Sequence, residues 1–242
     1  MFKFIVQIIL KFFGYRLLRY DKGKIKFDDI LLKIFKNKSL KIVDIGANEG
    51  QSIKRFNKIF KKTTIYSIEP SKFAYEFLLA NYKNSKNVYL FNYAIGDIAK
   101  KKLFYDYNES VLSSFHKINK KESLNLKYKK EEVQVITLDQ FCKLKKLTNV
   151  NILKIDTQGS ETKILRGGIV SLKKGVFDII ELEVIMGDYY EKYFSFFSIE
   201  KFLIKFNYRL LALDRTPNFF KDSRMYCNAI YARNDIYNKI KF

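Results

Sequence analysis

Three acids in this chain stand where apolar runs end, which is where an α/β sheet collects its reactive groups. Asp44 closes the run IVDI and leads into DIGANEG, an acid followed by Gly46, Asn48 and Gly50. A strand-end acid before a glycine turn and a helix is the way such sheets build a nucleotide-sized site. Twenty-five residues further along, TTIYSIEP ends in Glu69, placed to accept both hydroxyls of a ribose. VNILKIDTQG carries Asp156 to what should be the same edge, and Glu161 opens the segment after it. Ligands bind beyond the carboxyl ends of such strands, so the three strand-end acids should line one crevice.

The glycine turn discriminates between cofactors. A dinucleotide site wants G-x-G-x-x-G, because its second glycine lets the backbone approach a pyrophosphate. Here that position is Asn48, whose side chain would crowd a diphosphate, and Asp44 would repel one. S-adenosylmethionine has no phosphate and carries an ammonium, a carboxylate and a sulfonium. Asp44 and Asn48 therefore favour it over NAD. Gly46 or Gly50 alone would fit an ordinary buried strand and a helix cap, but that reading leaves Asp44 and Glu69 unexplained.

The elements that must hold these residues alternate between strand and helix patterns after residue 40, as in a parallel sheet covered on both faces. Strands are expected at 40–46, 64–69, 88–96, 150–159 and 176–184. A helix over 50–60 turns Ile53, Phe56, Ile59 and Phe60 inward; the helix after Pro70 should bury Phe73, Phe77 and Leu78. The third strand ends at Asn92–Asp97, so an adenine ring would lie near Ala94 once Glu69 holds the ribose. KLFYDY (102–107) and EVQVITLD (132–139) alternate like paired strands around a polar connection over 108–130, the expected substrate lid. Gly167 and Gly168 should stop the helix after Ser160. Two closing strands, 208–213 and 227–234, lack a long helix between them.

Composition restrains the reading. The chain has 242 residues, enough for one sizeable core, and only two prolines. Its formal net charge is +21, which invites a nucleic-acid partner, yet only eight of 46 basic residues are arginine. The lysines are spread along a chain also rich in Ile, Asn, Phe and Tyr, the skew of an AT-rich genome, so a solvated surface accounts for them. Cys142 and Cys227 have no metal or redox spacing and read as small core residues. With one histidine, neither a His-based zinc site nor a serine triad is available. The first 38 residues form an amphipathic helical extension before a domain over 39–242. Its MFKFIVQIILKFFGYRLLRY is too short and too often charged to span a bilayer, and no cleavage signal follows. Its wide apolar face packs on the domain or in an oligomer, or lies peripherally on the inner face of a membrane; the protein is expected in the cytoplasm.

VDIGANEG (43–50), YSIEP (66–70), NYAIGD (92–97), VITLDQF (135–141), LKIDTQGSETKILRGG (153–168) and IIELE (179–183) together resemble the FkbM-type family of S-adenosylmethionine-dependent methyltransferases. The motifs span Val43 to Glu183. The resemblance implies a Rossmann-like class I methyltransferase sheet, α/β and mostly parallel with a reversed C-terminal strand hairpin. It also implies a cofactor site of Asp44, Gly46, Asn48, Gly50, Glu69 and Ala94. The family's third strand-end motif commonly reads D-x-E-G-x-E, and this chain has Gln158 at the middle acid.

Methyl transfer to an alcohol requires alignment of nucleophile and methyl carbon, and removal of a proton. Asp156 is the first candidate for that contact. Glu161 could orient it, bind the acceptor, hold a divalent cation with it, or cap its own helix. Glu181 and Glu183 could add a ligand, although a solvated strand end explains them as well. His116 in SVLSSFHK has a suitable unperturbed pKa for a base; Ser113 and Ser114 nearby could touch a ligand or shape a turn. FkbM-like enzymes generally methylate oxygens, often on sugars or secondary metabolites. A hydroxyl of a surface polysaccharide or its precursor is the acceptor the resemblance implies, and a phosphorylated one would suit the lysines. The rivals are an RNA methyltransferase and a non-catalytic subunit built on the same fold.

Overall fold

The computed structural model describes residues 27–119, 126–187, 189–192, 195–213 and 225–240. The N-terminal segment 1–26, with its amphipathic pattern, lies outside the described residues, as does part of the 108–130 connection. Among the described residues no helix is long and apolar enough to cross a membrane.

The described chain begins with α1 (Phe27–Phe35) and then alternates: β1 (Leu40–Ile45), α2 (Gln51–Ile59), β2 (Thr63–Ile68), α3 (Lys72–Tyr82) and β3 (Val88–Phe91). A short β4 (Ala94–Gly96), β5 (Lys100–Tyr107), a 3-10 turn (Ser110–Leu112) and β6 (Tyr128–Thr137) follow. The remainder is α4 (Leu138–Leu144), β7 (Val150–Ile155), α5 (Glu161–Arg166), α6 (Ile169–Lys173), β8 (Phe177–Met186), α7 (Phe196–Ile204), β9 (Tyr208–Leu213), β10 (Met225–Arg233) and α8 (Asn234–Tyr237). Seven strands form one sheet in the order β3-β2-β1-β7-β8-β10-β9. β1, β2, β3, β7 and β8 run parallel, and β10 is antiparallel to both of its neighbours. That is the expected reversed closing strand. β4, β6 and β5 make a second, three-stranded sheet.

Alternation along each strand divides the core into two layers. Ile42, Ile152 and Ile179, side by side in register, face α1, α2 and α3 together with Leu31, Phe35 and Phe56. Val43, Leu153 and Ile180 face the opposite layer with Phe141, Ile164 and Leu203. The described part of the N-terminal extension, α1, therefore shares the core of the domain it precedes.

Three expectations need correction. Phe73 and Phe77 are 66% and 45% exposed; α3 buries Leu78 as expected, with Ala74 beside it in place of the two phenylalanines. Its N-cap, Ser71, accepts from the Ala74 N–H at 3.2 Å, and the helical phase set there turns the two phenylalanines outward. The run 88–96 is not one strand. It breaks at Asn92, whose side-chain amide donates to the carbonyls of Glu69 (2.9 Å) and Pro70 (3.2 Å), and β4 leaves for the second sheet. EVQVITLD (132–139) is strand only as far as Thr137, where a capping box with Gln140 starts α4.

Candidate active site

Three consecutive residue rows cross the centre of the main sheet toward its carboxyl edge. The apolar row Ile42–Ile152–Ile179 is followed on the same face by Asp44–Lys154–Glu181, and then by Gly46, Asp156 and Glu183. A crevice of about 340 Å³ opens over the last rows, with Gly46, Asn48, Glu69, Ala94, Lys154 and Asp156 among its walls.

Gly46 makes the turn possible. Its φ is +82°, and a Cβ there would lie 1.8 Å from the Asp156 carbonyl oxygen, so β1 and β7 could not close around any other residue. Asn48 also has positive φ (45°), and Gly50 caps α2 from beneath. The Asn48 N–H donates to Glu69 Oε2 and the Ser71 N–H to Glu69 Oε1, both at 2.8 Å. These bonds hold the buried Glu69 carboxylate across the turn and leave each oxygen one further lone pair. Burial pushes Glu69 up to about 7 despite those two donors. Asp44 is fully buried beneath the turn, so of the three strand-end acids only Glu69 and Asp156 border the crevice, and neither Asp44 oxygen has a well-formed hydrogen bond among the described residues. Burial raises it to about 6, against the opposing charge of Lys154 and the nearby Ser52 hydroxyl. Asn48 Oδ1 is a third buried acceptor without a partner.

The acids at the β7 and β8 ends form a second cluster. Burial alone would raise Asp156, but the Lys154 ammonium at 3.0 Å holds it below the ordinary carboxylate range, aided by hydrogen bonds from Glu183 and Gln158. Glu183 moves the other way, to about 8, through burial and then the charge of Asp156. Two carboxyls this close share a proton. Gln158, with φ +53°, donates toward Asp156 Oδ1 (3.3 Å) and Glu183 Oε1 (3.5 Å), while its own Oε1 accepts from the Tyr190 hydroxyl (3.1 Å). Burial disfavours the Lys154 charge, yet Asp156, Asp44 and Glu181 outweigh it and raise the lysine above its usual range.

Glu161 and His116 lie elsewhere. The buried Glu161 carboxylate accepts from the Thr157 N–H (3.1 Å), the Thr157 hydroxyl (3.0 Å) and the Gly159 N–H (3.1 Å). It braces the loop that carries Gln158 and does not border the crevice. His116 is behind that loop, its ring 6.4 Å from Tyr190. Burial and then Lys163, Lys102 and Lys192 lower it to about 4, so it is neutral at physiological pH. Ser113 is tied to Asp106 (2.8 Å) and Ser114 to the Gln158 carbonyl (2.7 Å), which fixes the turn over the crevice. Glu181 is no solvated strand end: it is 4% exposed and pairs through both oxygens with Arg55 of α2. Among the described residues no group of three or more His, Cys, Asp or Glu could hold a metal ion.

Lys154 and Arg55 escape a reading made from strand-end acids alone. The signal for Lys154 is its setting: a lysine between Leu153 and Ile155 interrupts an apolar run, VNILKI, that a two-sided parallel strand should keep unbroken.

The strand order, the reversed β10 and the acid-glycine edge define a class I S-adenosylmethionine-dependent methyltransferase fold. M. jannaschii fibrillarin, described as a pre-rRNA processing protein, superposes with a TM-score of 0.51 at 13% identity, covering 91% of this chain and 78% of that one. M. capricolum TrmK, in complex with S-adenosyl-homocysteine, superposes with a TM-score of 0.50 at 14% identity, covering 86% and 68%. No curated protein matches the chain significantly. The methyltransferase FkbM domain matches residues 44–210, and the chain belongs to that family.

Proposed function

We propose that the protein transfers a methyl group from S-adenosylmethionine to a hydroxyl of a sugar, on a polysaccharide or its precursor. The observation that carries the chemistry is the Asp156–Glu183 pair beside Lys154 at the mouth of the crevice. The cofactor fits the residues present. Asn48 Oδ1 is a buried acceptor without a partner on the crevice wall, suited to an ammonium, Asp44 adds negative charge from beneath the turn, and Glu69 keeps a lone pair on each oxygen for the ribose hydroxyls. Ala94 and Ile95 supply an apolar wall for a ring. S-adenosylmethionine supplies an electrophilic methyl group.

The remaining work falls to the chain. Lys154 keeps Asp156 ionised at neutral pH, so Asp156 can accept the hydrogen bond of an alcohol and take its proton as attack proceeds. Glu183, which already carries a proton at neutral pH, releases it toward the open end of the crevice and takes over the one that Asp156 has gained. Gln158 holds both acids in place with its amide, where the family's more common acid would add a third negative charge. Glu161 acts by positioning the loop. His116, neutral and behind the loop, supports the same segment.

Calorimetric titration with S-adenosylmethionine, S-adenosylhomocysteine and NAD tests the cofactor: saturable binding of the first two without NAD is expected. Asp156→Asn should keep its S-adenosylhomocysteine affinity while release of that product, measured with sugars as acceptors, falls by roughly 100-fold or more. Undiminished turnover would remove Asp156 from the chemistry.

A further inference from the structure

A second cavity of about 160 Å³ branches from the crevice, sharing Ile95, Phe115 and Ser160 with it. It has room for about five waters at ~30 Å³ each. Lys100, Lys102 and Lys163 line it, against one acid, Asp97. Lys102 and Lys163 are neighbours on its wall, and burial followed by the Lys163 charge lowers Lys102 to about 8. Neither lysine makes a salt bridge among the described residues. The Phe115 ring, 4.1 Å from the Lys102 nitrogen, is a weak substitute for a counter-ion. A second observation is independent of charge. Ser160 is 2% exposed, its hydroxyl has no hydrogen-bond partner among the described residues, and it borders both the crevice and the branch.

Two ammonium groups held together with an unpaired buried hydroxyl form a socket for a tetrahedral oxyanion. We propose that this branch seats a phosphate group carried by the methyl acceptor, with Lys102, Lys163 and Ser160 as its ligands. The assignment rests on the methyl-transfer reading above and narrows it: the acceptor is a phosphorylated sugar or a phosphate-bearing glycan. The branch meets the crevice at Ser160, four residues after Asp156, so a phosphate held there leaves the sugar facing the acid pair.

The test titrates the full chain at constant ionic strength with inorganic phosphate and with a hexose 1-phosphate, before and after saturation with S-adenosylhomocysteine. One site per chain, competition between the two phosphates and tighter binding of the sugar phosphate are expected. Lys102→Gln/Lys163→Gln should weaken both by at least about tenfold while leaving S-adenosylhomocysteine affinity unchanged. Lys61→Gln/Lys62→Gln, which removes the same charge from an exposed turn, should change neither. On the wild-type chain, the sugar phosphate should shield Lys102 and Lys163 from acetylation and leave Lys61 and Lys62 reactive, a readout that needs no variant to fold.

Equal weakening by both lysine pairs, no saturable binding, unshielded Lys102, or inorganic phosphate binding as tightly as the sugar phosphate would each overturn the proposal. Joint loss of phosphate and S-adenosylhomocysteine affinity in Lys102→Gln/Lys163→Gln would assign the lysines to the cofactor site and overturn it as well. If the wild-type chain binds phosphate but not S-adenosylhomocysteine, the methyl-transfer reading itself fails, and the acceptor assignment falls with it.

Discussion

Replacing Glu69 by Gln is the most revealing single change, because its effect on cofactor affinity follows from the contacts in place. Each carboxylate oxygen already accepts one backbone N–H at 2.8 Å, from Ser71 and from Asn48, and retains one lone pair for a ribose hydroxyl. A glutamine offers one oxygen and one NH2. In either orientation the NH2 meets a backbone N–H that loses its acceptor, and the ribose hydroxyl on that side loses its charged acceptor. A hydrogen bond to a charged group contributes about 1.5–3 kcal/mol, and 1.4 kcal/mol is tenfold, so S-adenosylhomocysteine affinity should fall by roughly 10–150-fold. A second signature is dependence on pH. Glu69 stands at about 7 before ligand binds, and only its ionised form accepts both hydroxyls. About one-tenth is ionised at pH 6, so wild-type affinity should climb about tenfold between pH 6 and pH 8. Asp44, at about 6, adds about twofold at the acid end. Glu69→Gln should show only that smaller residue. Calorimetry in buffers of different ionisation enthalpy measures both affinity and the protons released. A flat wild-type profile without proton release, or a variant within twofold of wild type, would refute the reasoning.

Two further outcomes follow from buried charge. Arg55→Met leaves Glu181 in the sheet without its main partner; Lys154 still stands beside it, so the loss should be about 2–4 kcal/mol, somewhat below a fully isolated buried charge. Arg55→Met/Glu181→Leu should recover most of that in a urea titration, and an unchanged single variant would contradict the pairing. Stability should also fall as pH rises from 6.5 to 8. Glu69 and Glu161 at about 7 and Glu183 at about 8 keep protons in that window that an unfolded chain has already released. Below 6.5 the fall continues, because Asp44, at about 6, also keeps a proton there, while His116, at about 4, binds fewer protons folded than unfolded and offsets part of it. A urea midpoint that rises from pH 6.5 to 8 would contradict these assignments.

Much of the sheet was legible because a buried parallel strand is an unbroken apolar run with an abrupt end. Asp44, Glu69 and Asp156 stand out against such runs, and the strands on which they sit lie side by side in the sheet. Helix faces were harder. Phe73 and Phe77 are large and apolar, yet the phase set by the Ser71 cap buries the smaller Ala74. Glu161 and His116 have suitable chemistry in sequence, but the hydrogen bonds that turn Glu161 into a loop brace join groups within a turn whose shape depends on Gln158 and Gly159 taking positive φ. Lys154 was hidden by abundance: in a chain with this many lysines, one inside a strand attracts no notice until the strand is seen to be covered on both faces.

The row Asp44–Lys154–Glu181 bears on the order in which the chain can fold. Its members come from strands separated by more than a hundred residues, β1 on one side and β7 and β8 on the other. A lysine cannot leave water for the middle of a sheet until its acids arrive, nor can either acid be dehydrated first without its cation. Pairing β7 with β8 is local and delivers Glu181 to Lys154 early. The closure of β1 against β7 completes the row, and it must bring Asp44 and Arg55 together with the glycine turn. The longest strand-pairing loop of the main sheet is therefore closed in the same event that dehydrates its central charges, so the binding crevice and the buried charge row form together.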